Sequence, residues 1–324
     1  MQPENFWVEE QLGFEPAGTG SHALLRVRKR GCNTEWVARE LARHAGCRVA
    51  EVGFAGLKDR HAVAIQWYSV PLGRAGIEHW QQLHGAEFAV LEAHPHGRKL
   101  PRGALAGNRF RIRVRGLRGD PAALGARLEQ LRAGGVPNYF GPQRFGRDAA
   151  NLRRLGHIAA VGAGAHRGER AFALSSARSL IFNAVLAERV EEGSWAQVLP
   201  GDIANLDGRG SIFPVEVPTA ELVARAERLE IHPTGPLWGR GQPPCGGATL
   251  ERERRIGEIL ERPCELTVRA GMRQERRSLR LAVRELSYVI AAGELELAFS
   301  LTRGGYATAV VREIMDVMPE LTEG

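Results

Sequence analysis

Apolar residues recur along this chain with two periods, and the switches between them mark out its elements. Glu4 to Glu10 reads as a short opening strand. Ala23 to Arg30 interleaves apolar residues with Arg26, Arg28, Lys29 and Arg30, the pattern of an edge strand or a basic ribbon. Asn33 or Thr34 can cap a helix in which Trp36, Val37, Leu41 and Ala45 share one side, and Gly46 suits its end. Val49, Val52 and Phe54 suggest a strand. After a turn, Val63, Ile65 and Trp67 alternate with Ala64, Gln66 and Tyr68 as a second one. A helix is expected around Ile77 to Leu83.

In the tract from Arg98 to Arg115, period-2 alternation puts Arg109, Arg111, Arg113 and Arg115 on one strand face and Phe110, Ile112 and Val114 on the other. Asp120-Pro121 opens a helix lined by Leu124, Leu128 and Leu131 and closed by Gly134-Gly135. Ala160 to Ala165 has linker composition, and Ser175 to Asn183 opens an amphipathic helix carrying Leu180, Ile181, Val185 and Leu186. Asp207 to Ser211 reads as a turn and Pro233 to Gly247 as a Pro/Gly-rich loop. Arg273 to Arg284 is Arg-rich, with Leu279, Leu281 and Val283 alternating. Leu295, Leu297, Phe299 and Leu301 mark the clearest strand, Glu294 to Leu301, and Thr308 can cap a last helix through Val317.

The chain has 324 residues, 44% hydrophobic and 25% charged, enough for one large or two medium folded domains. Lys and Arg outnumber Asp and Glu by 44 to 37, a net charge of +7 that favours polyanionic partners. Cys32, Cys47, Cys245 and Cys264 form no Cys-x-x-Cys pair, which reads as reduced thiols rather than a disulfide framework or zinc site. His94 and His96 lack a third ligand, and Gly239-Arg240-Gly241 is too short for a nucleotide-binding loop. No apolar run approaches the ~20 residues of a membrane span, and no signal-peptide pattern opens the sequence, so the cytoplasm is expected.

Two stretches carry candidate chemistry. In Gly53 to Gln66, Asp59 stands between Lys58 and Arg60 on a connection between two strands, with Gly53 and Gly56 allowing tight turns or close approach. The three charges are either a solvated cluster or a nucleophile whose ionised form the flanking cations favour. In Val136 to Gly146, two prolines, two glycines, three aromatics and Arg144 form either a packed surface loop or a surface for an exposed base, which stacks on aromatic rings and hydrogen-bonds through its edges. The four arginines of residues 109–115 are either a solvated face with acidic neighbours or a phosphate-binding stripe.

The string Gly56-Leu57-Lys58-Asp59-Arg60-His61-Ala62-Val63-Ala64-Ile65-Gln66 closely resembles the Gly-x-Lys-Asp-x-x-Ala-x-Thr-x-Gln signature of the TruD family of tRNA pseudouridine synthases, with Ala64 where the family usually has Thr. Asn138-Tyr139-Phe140-Gly141-Pro142-Gln143-Arg144-Phe145-Gly146 matches that family's Asn-Tyr-Phe-Gly-x-Gln-Arg-Phe-Gly without substitution. Three weaker patches agree: Asn5 to Glu10 with Asn5 in place of Asp, Ser175 to Asn183, and Leu301 to Thr308 with Thr302 and Gly305 in place of Pro and Ser.

The resemblance implies an α+β fold, a pseudouridine-synthase-type mixed and antiparallel sheet with flanking helices and an inserted α/β domain. It divides the chain into a core over 1–154, an insert over 155–280 and a closing core segment over 281–324. It implies that Asp59 is catalytic and that Phe6, Lys58, Asn138, Phe140, Arg144 and Tyr306 bind substrate, with Arg178 a candidate RNA contact in a mainly structural helix. The substrate would be a uridine of tRNA, uridine 13 in the D-arm region, isomerised with no cofactor, no metal and no obligatory protein partner. Two rivals stand beside this reading. One is an RNA-binding protein without turnover; the other is a metal-dependent nuclease using Asp59, for which no acidic or His cluster has ligand spacing.

Overall fold

The structure is a computed structural model and describes residues 2–73, 76–161 and 167–315. The chain forms two compact units, Met1–Gly125 with Arg284–Gly304, and Ala126–Val283 with Gly305–Gly324.

The first unit begins with strands β1 (Phe6–Gln11), β2 (His22–Arg30), β3 (Gly53–Phe54), β4 (Val63–Pro71), β5 (Phe88–His96) and β6 (Gly107–Arg115), with helices α1 (Thr34–Ala45) and α2 (Glu78–Gln81). The spacing expected of α1 is realised: Val37, Ala38 and Leu41 are buried in one cluster with Leu25 and Val27 of β2 and Tyr68 and Val70 of β4. Gly46 closes the helix at φ 63°, a left-handed conformation that favours glycine. The strand expected over residues 49–54 shrinks to β3, preceded by a 3-10 turn over Val49–Glu51. A Cβ on Gly53 would lie 2.4 Å from Ser69 Oγ and 2.6 Å from the Leu100 carbonyl, so only glycine lets this short strand approach β4.

β2 departs from its expected edge position. It pairs with β4 on one side and β5 on the other, making it an interior strand. Arg26 is neutralised there by Glu9 and Glu92, and Lys29 is fully buried. These acceptors come from distant segments, so the local sequence showed the cations without their partners.

The second unit is built on a 25-residue helix. After α3 (Pro121–Gly134) come β7 (Val136–Pro137), α4 (Pro142–Phe145), α5 (Ala150–Val161) and α6 (Arg167–Glu191). Asp120 Oδ1 accepts from the Ala122 amide at 2.9 Å at the start of α3, and Leu128 and Leu131 are buried as expected. α6 opens eight residues before Ser175, and its Ala177, Ile181, Phe182, Val185 and Leu186 are core. Of the expected linker, Ala160 and Val161 belong to α5, and residues 162–165 lie outside the described residues.

Strands β8 (Asp202–Leu206), β9 (Ile212–Val215), β10 (Ile231–Leu237) and β11 (Glu275–Ser278) form a four-stranded sheet in the order β11-β10-β8-β9, with α7 (Ala220–Glu227), α8 (Gly247–Ile259) and α9 (Glu261–Arg269). The turn expected over residues 207–211 joins β8 to β9. Residues 233–237, expected as loop, belong to β10. Its register runs with β8 only over Ile231–Pro233 and with β11 only over Thr234–Leu237, so Pro233 and Pro236 each face a single ladder.

β12 (Arg280–Leu281) pairs antiparallel with β7. The chain then returns to the first unit as β13 (Arg284–Ala291) and β14 (Glu294–Thr302), completing an eight-stranded sheet ordered β13-β14-β6-β1-β4-β2-β5, with β3 on β4. The β1–β4 pair is parallel and the other pairs are antiparallel. Leu295, Leu297, Phe299 and Leu301 are buried as their alternation predicts, with Phe299 stacked 5.4 Å from Phe110. The expectation for Thr308 is corrected: it lies inside α10 (Ala307–Val311), whose N-cap is Tyr306. Val317 lies outside the described residues.

Candidate active site

In the first unit, the connection from β3 to β4 holds Asp59 on a clamped backbone with an exposed carboxylate. Buried Lys29 donates from Nζ to the Asp59 carbonyl and to the Cys32 carbonyl, both at 2.8 Å. Thr34 Oγ1, at the first position of α1, accepts from the Lys58 amide at 3.0 Å and donates to Gln66 Oε1 at 3.0 Å. Gln66 Nε2 in turn donates to the Gly56 carbonyl at 2.6 Å, and Tyr68 Oη donates to Gln66 Oε1 at 3.0 Å. Asp59 itself is exposed, and Oδ1 accepts from the His61 amide at 2.9 Å, closing a tight turn around the side chain.

The flanking cations do not pair with Asp59. Lys58 Nζ sits 2.7 Å from Glu10 Oε1, with side chains only 9% and 0% exposed. Burial pushes the Glu10 carboxyl above its ordinary value of 4.5, opposed by Lys58 and by the Trp67 amide that donates to Oε2. Arg60 Nε donates to the Gly31 carbonyl at 3.2 Å. The expectation that Lys58 and Arg60 serve the carboxylate directly therefore gives way: Lys58 ties the loop to β1, and the fixed cation beneath the loop is Lys29. Phe6, half-buried on β1, packs 6.1 Å from Phe110. Ala64 is fully buried on β4 as the cross-strand neighbour of Lys29 and Val8.

In the second unit, the connection from β7 through α4 gathers Asn138, Phe140, Arg144 and Tyr306. Asn138 is buried: its amide donates to the Leu279 carbonyl at 2.8 Å, Nδ2 donates to the Ser278 carbonyl at 2.8 Å, and Oδ1 accepts from Arg277 at 2.6 Å. Phe140 is 6% exposed. Its backbone amide and carbonyl are both held by the Asn183 side-chain amide at 3.0 Å, and its ring lies 5.5 Å from Phe182 and 6.1 Å from Tyr306. Arg144 donates to Ser175 Oγ at 3.2 Å and to Tyr306 Oη at 2.7 Å, with its guanidinium 5.1 Å from the Phe140 ring centre.

Arg277 was read only as part of an Arg-rich strand, yet it stacks 4.1 Å over Phe140 while holding Asn138. Burial drops its pKa to about 10. Two nearby arginines are internal as well, Arg276 of β11 paired with Glu253 at 2.8 Å and Arg280 of β12 donating to His232 Nδ1 at 3.0 Å. Arg178 is spent inside the unit, on the Leu237 and Arg273 carbonyls and on Glu275. On the β6 stripe, Arg109, Arg113 and Arg115 meet Glu285, Glu296 and Glu294, whereas Arg111 has no ion pair among the described residues. No group of three His, Cys, Asp or Glu side chains among the described residues is placed to hold a metal ion.

Comparison with known proteins puts this arrangement in context. The family model described as tRNA pseudouridine synthase D (TruD) matches residues 1–162 and 169–314. The tRNA pseudouridine synthase D of Methylococcus capsulatus is 46% identical over 322 residues, covering 99% of this chain and 91% of that protein. The Pseudomonas aeruginosa LESB58 protein of the same name is 44% identical over 319 residues, covering 98% and 89%. The crystal structure of a Methanosarcina mazei chain described as tRNA pseudouridine synthase D (TruD) superposes with a TM-score of 0.71 at 24% identity, covering 98% of this chain and 93% of that one, a likeness of fold. With both its key strings and nearly its whole length matched, the chain belongs to the TruD family of tRNA pseudouridine synthases.

Proposed function

We propose that the chain isomerises uridine 13 of tRNA, in the D-arm region, with Asp59 as the catalytic carboxylate. The enzyme class follows from the family: a tRNA pseudouridine synthase, an isomerase. The observation that supports the finer reading is an exposed carboxylate on a loop whose backbone is clamped by Lys29, Thr34 and Gln66, which leaves the reactive group open at low reorganisation cost.

Pseudouridine formation breaks the N1–C1′ bond, turns the detached uracil and joins C5 to C1′. The proton leaves C5, and N1 ends protonated. No electrons are gained or lost overall, so the reaction calls for no redox cofactor. The Asp59 carboxylate can act by attacking C1′, by attacking C6 of the ring, or by removing the C2′ proton to give a glycal; each route needs it ionised and shielded from water. A stacked base is out of reach, so the target nucleotide must be extruded from the tRNA fold.

In this reading Phe140 and Tyr306 offer aromatic surface to the base, Asn138 and Arg144 hold nucleotide polar groups, and Phe6 lies beside the nucleotide. Lys58 contributes by anchoring the Asp59 loop through Glu10. Segment 155–280 is the inserted domain, with the core formed by 1–154 and 281–324. The net charge of +7 suits a polyanionic tRNA partner. No described helix is long and apolar enough to cross a membrane, and a cytoplasmic location is part of the proposal.

The test is pseudouridine mapping, by mass spectrometry or carbodiimide modification, of unmodified tRNA incubated with the pure protein. A single new pseudouridine at position 13 supports the reading. Binding without isomerisation supports an RNA-binding role, and cleavage abolished by a chelator supports the nuclease.

A further inference from the structure

The geometry points to Lys29 as a positioning residue for the nucleophile, a buried cation that holds the Asp59 peptide from below. This inference rests on the proposed role of Asp59. Lys29 sits on interior strand β2, 0% exposed, with Ala64 of β4 and Phe88 of β5 as cross-strand neighbours. Its ammonium donates to the Asp59 and Cys32 carbonyls at 2.8 Å and has no ion pair among the described residues. A lysine buried on carbonyls alone is a costly way to stabilise a sheet, since a desolvated charge without a counter-ion disfavours the folded state. Its position under the loop that presents the exposed Asp59 gives that cost a purpose.

The charged and titratable groups around this centre are few. Lys29 is acted on by Asp59, Cys32, Lys58 and, from α1, Glu35; burial lowers its pKa, while Cys32 and Asp59 oppose the shift. Lys58 is taken by Glu10 of β1, Arg60 by the Gly31 carbonyl, and His61 lends its amide to Asp59. Lys29 is thus the buried cation not already matched to another carboxylate. It fixes the Asp59 backbone through the carbonyl it donates to.

Three variants test this role: Lys29→Gln retains a donor without charge, Lys29→Met retains neither, and Lys29→Arg retains charge. Single-turnover rates are measured from tritium released on C5-tritiated tRNA, across roughly pH 5 to 8, alongside tRNA affinity and urea unfolding. Both neutral variants are expected to bind tRNA as wild type does. The Met variant is expected to lose about a hundredfold in single-turnover rate at neutral pH through misplacement of the loop, whereas Gln, which keeps a donor, and Arg, which keeps donors and charge, lose far less. A wild-type rate in the Met variant overturns the inference.

A measurement without any change at Lys29 covers variants that do not fold. In ¹⁵N-lysine-labelled protein, Asp59→Asn should lower the pH at which the Lys29 ammonium titrates, and an unchanged titration overturns the inference. Continued isomerisation by Asp59→Asn instead refutes the nucleophile assignment. An inactive Asp59→Asn beside a Lys29→Met variant with the wild-type rate refutes only the role of Lys29.

Discussion

Lys58 separates an anchoring role from a substrate-binding one. Replacing it with Met removes the ammonium 2.7 Å from Glu10 Oε1 and strands a carboxylate whose side chain is 0% exposed. At an effective dielectric constant near 20, the gross attraction across that distance is roughly 6 kcal/mol, and desolvation of both groups offsets part of it. Breaking such a buried pair from one side typically costs about 3–5 kcal/mol. Lys58→Met should therefore be far less stable than the double variant Glu10→Gln/Lys58→Met, in which no carboxylate is left behind.

The deficit should also depend on pH. Without Lys58 only the Trp67 amide and Gln66 oppose the burial that raises the Glu10 pKa above 4.5, so the carboxyl holds its proton in the folded state to a higher pH than in the unfolded chain. That stabilisation is complete below the unfolded value and is lost as pH rises through the folded one. The gap to wild type accordingly widens from about pH 4.5 upward. Urea denaturation of these three proteins at several pH values measures both effects, and tRNA affinity of the stable double variant reads the binding role. A Lys58→Met protein within ~1 kcal/mol of wild type near neutral pH would refute the anchoring argument. Loss of tRNA affinity in a fully stable double variant would return Lys58 to the substrate.

Three further outcomes are expected. The affinity of tRNA should fall with salt, and removing Arg111 should flatten the log–log slope by nearly one, whereas removing Arg113, already engaged by Glu296, should flatten it less; equal effects would remove the distinction. Tyr306→Phe loses the hydroxyl held by Arg144 but keeps the ring and should remain active, while Tyr306→Ala should lose ~1–3 kcal/mol of base stacking at similar thermal stability. Full activity in the Ala variant would take Tyr306 out of the site. His44 stacks on His79 at 4.3 Å, and burial holds its pKa below 6.5, so its stabilisation is complete above pH 6.5 and is lost as pH falls through the folded value. His44→Phe should flatten that acid loss of stability, and an unchanged pH dependence would contradict it.

The strands of the large sheet were legible where one face is buried and the other wet, as in β6, and α1 and α3 were legible from spacing and end residues. Asp59 lies on a connection between strands, as expected, whereas the stretch expected as a loop over Val136–Gly146 contains β7 and the short helix α4. Long-range charge pairing hid the rest. Lys29 looked like ribbon because its acceptors include a carbonyl thirty residues away, and Lys58 looked like a partner of Asp59 because Glu10 is distant in sequence. Arg276, Arg277 and Arg280 read only as an Arg-rich tract because Glu253, Asn138 and His232, which absorb them, come from other elements. β10 was lost to its prolines, which a strand tolerates when each half pairs on one side only.

The central claim is that one carboxylate, Asp59, does the chemistry, and Asp59→Asn tests it with almost no change in volume. Single-turnover pseudouridine formation on saturating tRNA is the measurement, with unfolding and tRNA affinity recorded on the same preparation. The account predicts no detectable pseudouridine from a variant that folds and binds tRNA as wild type does, because the side chain is exposed and its neighbours hold the loop through its backbone. Turnover near the wild-type rate would contradict it.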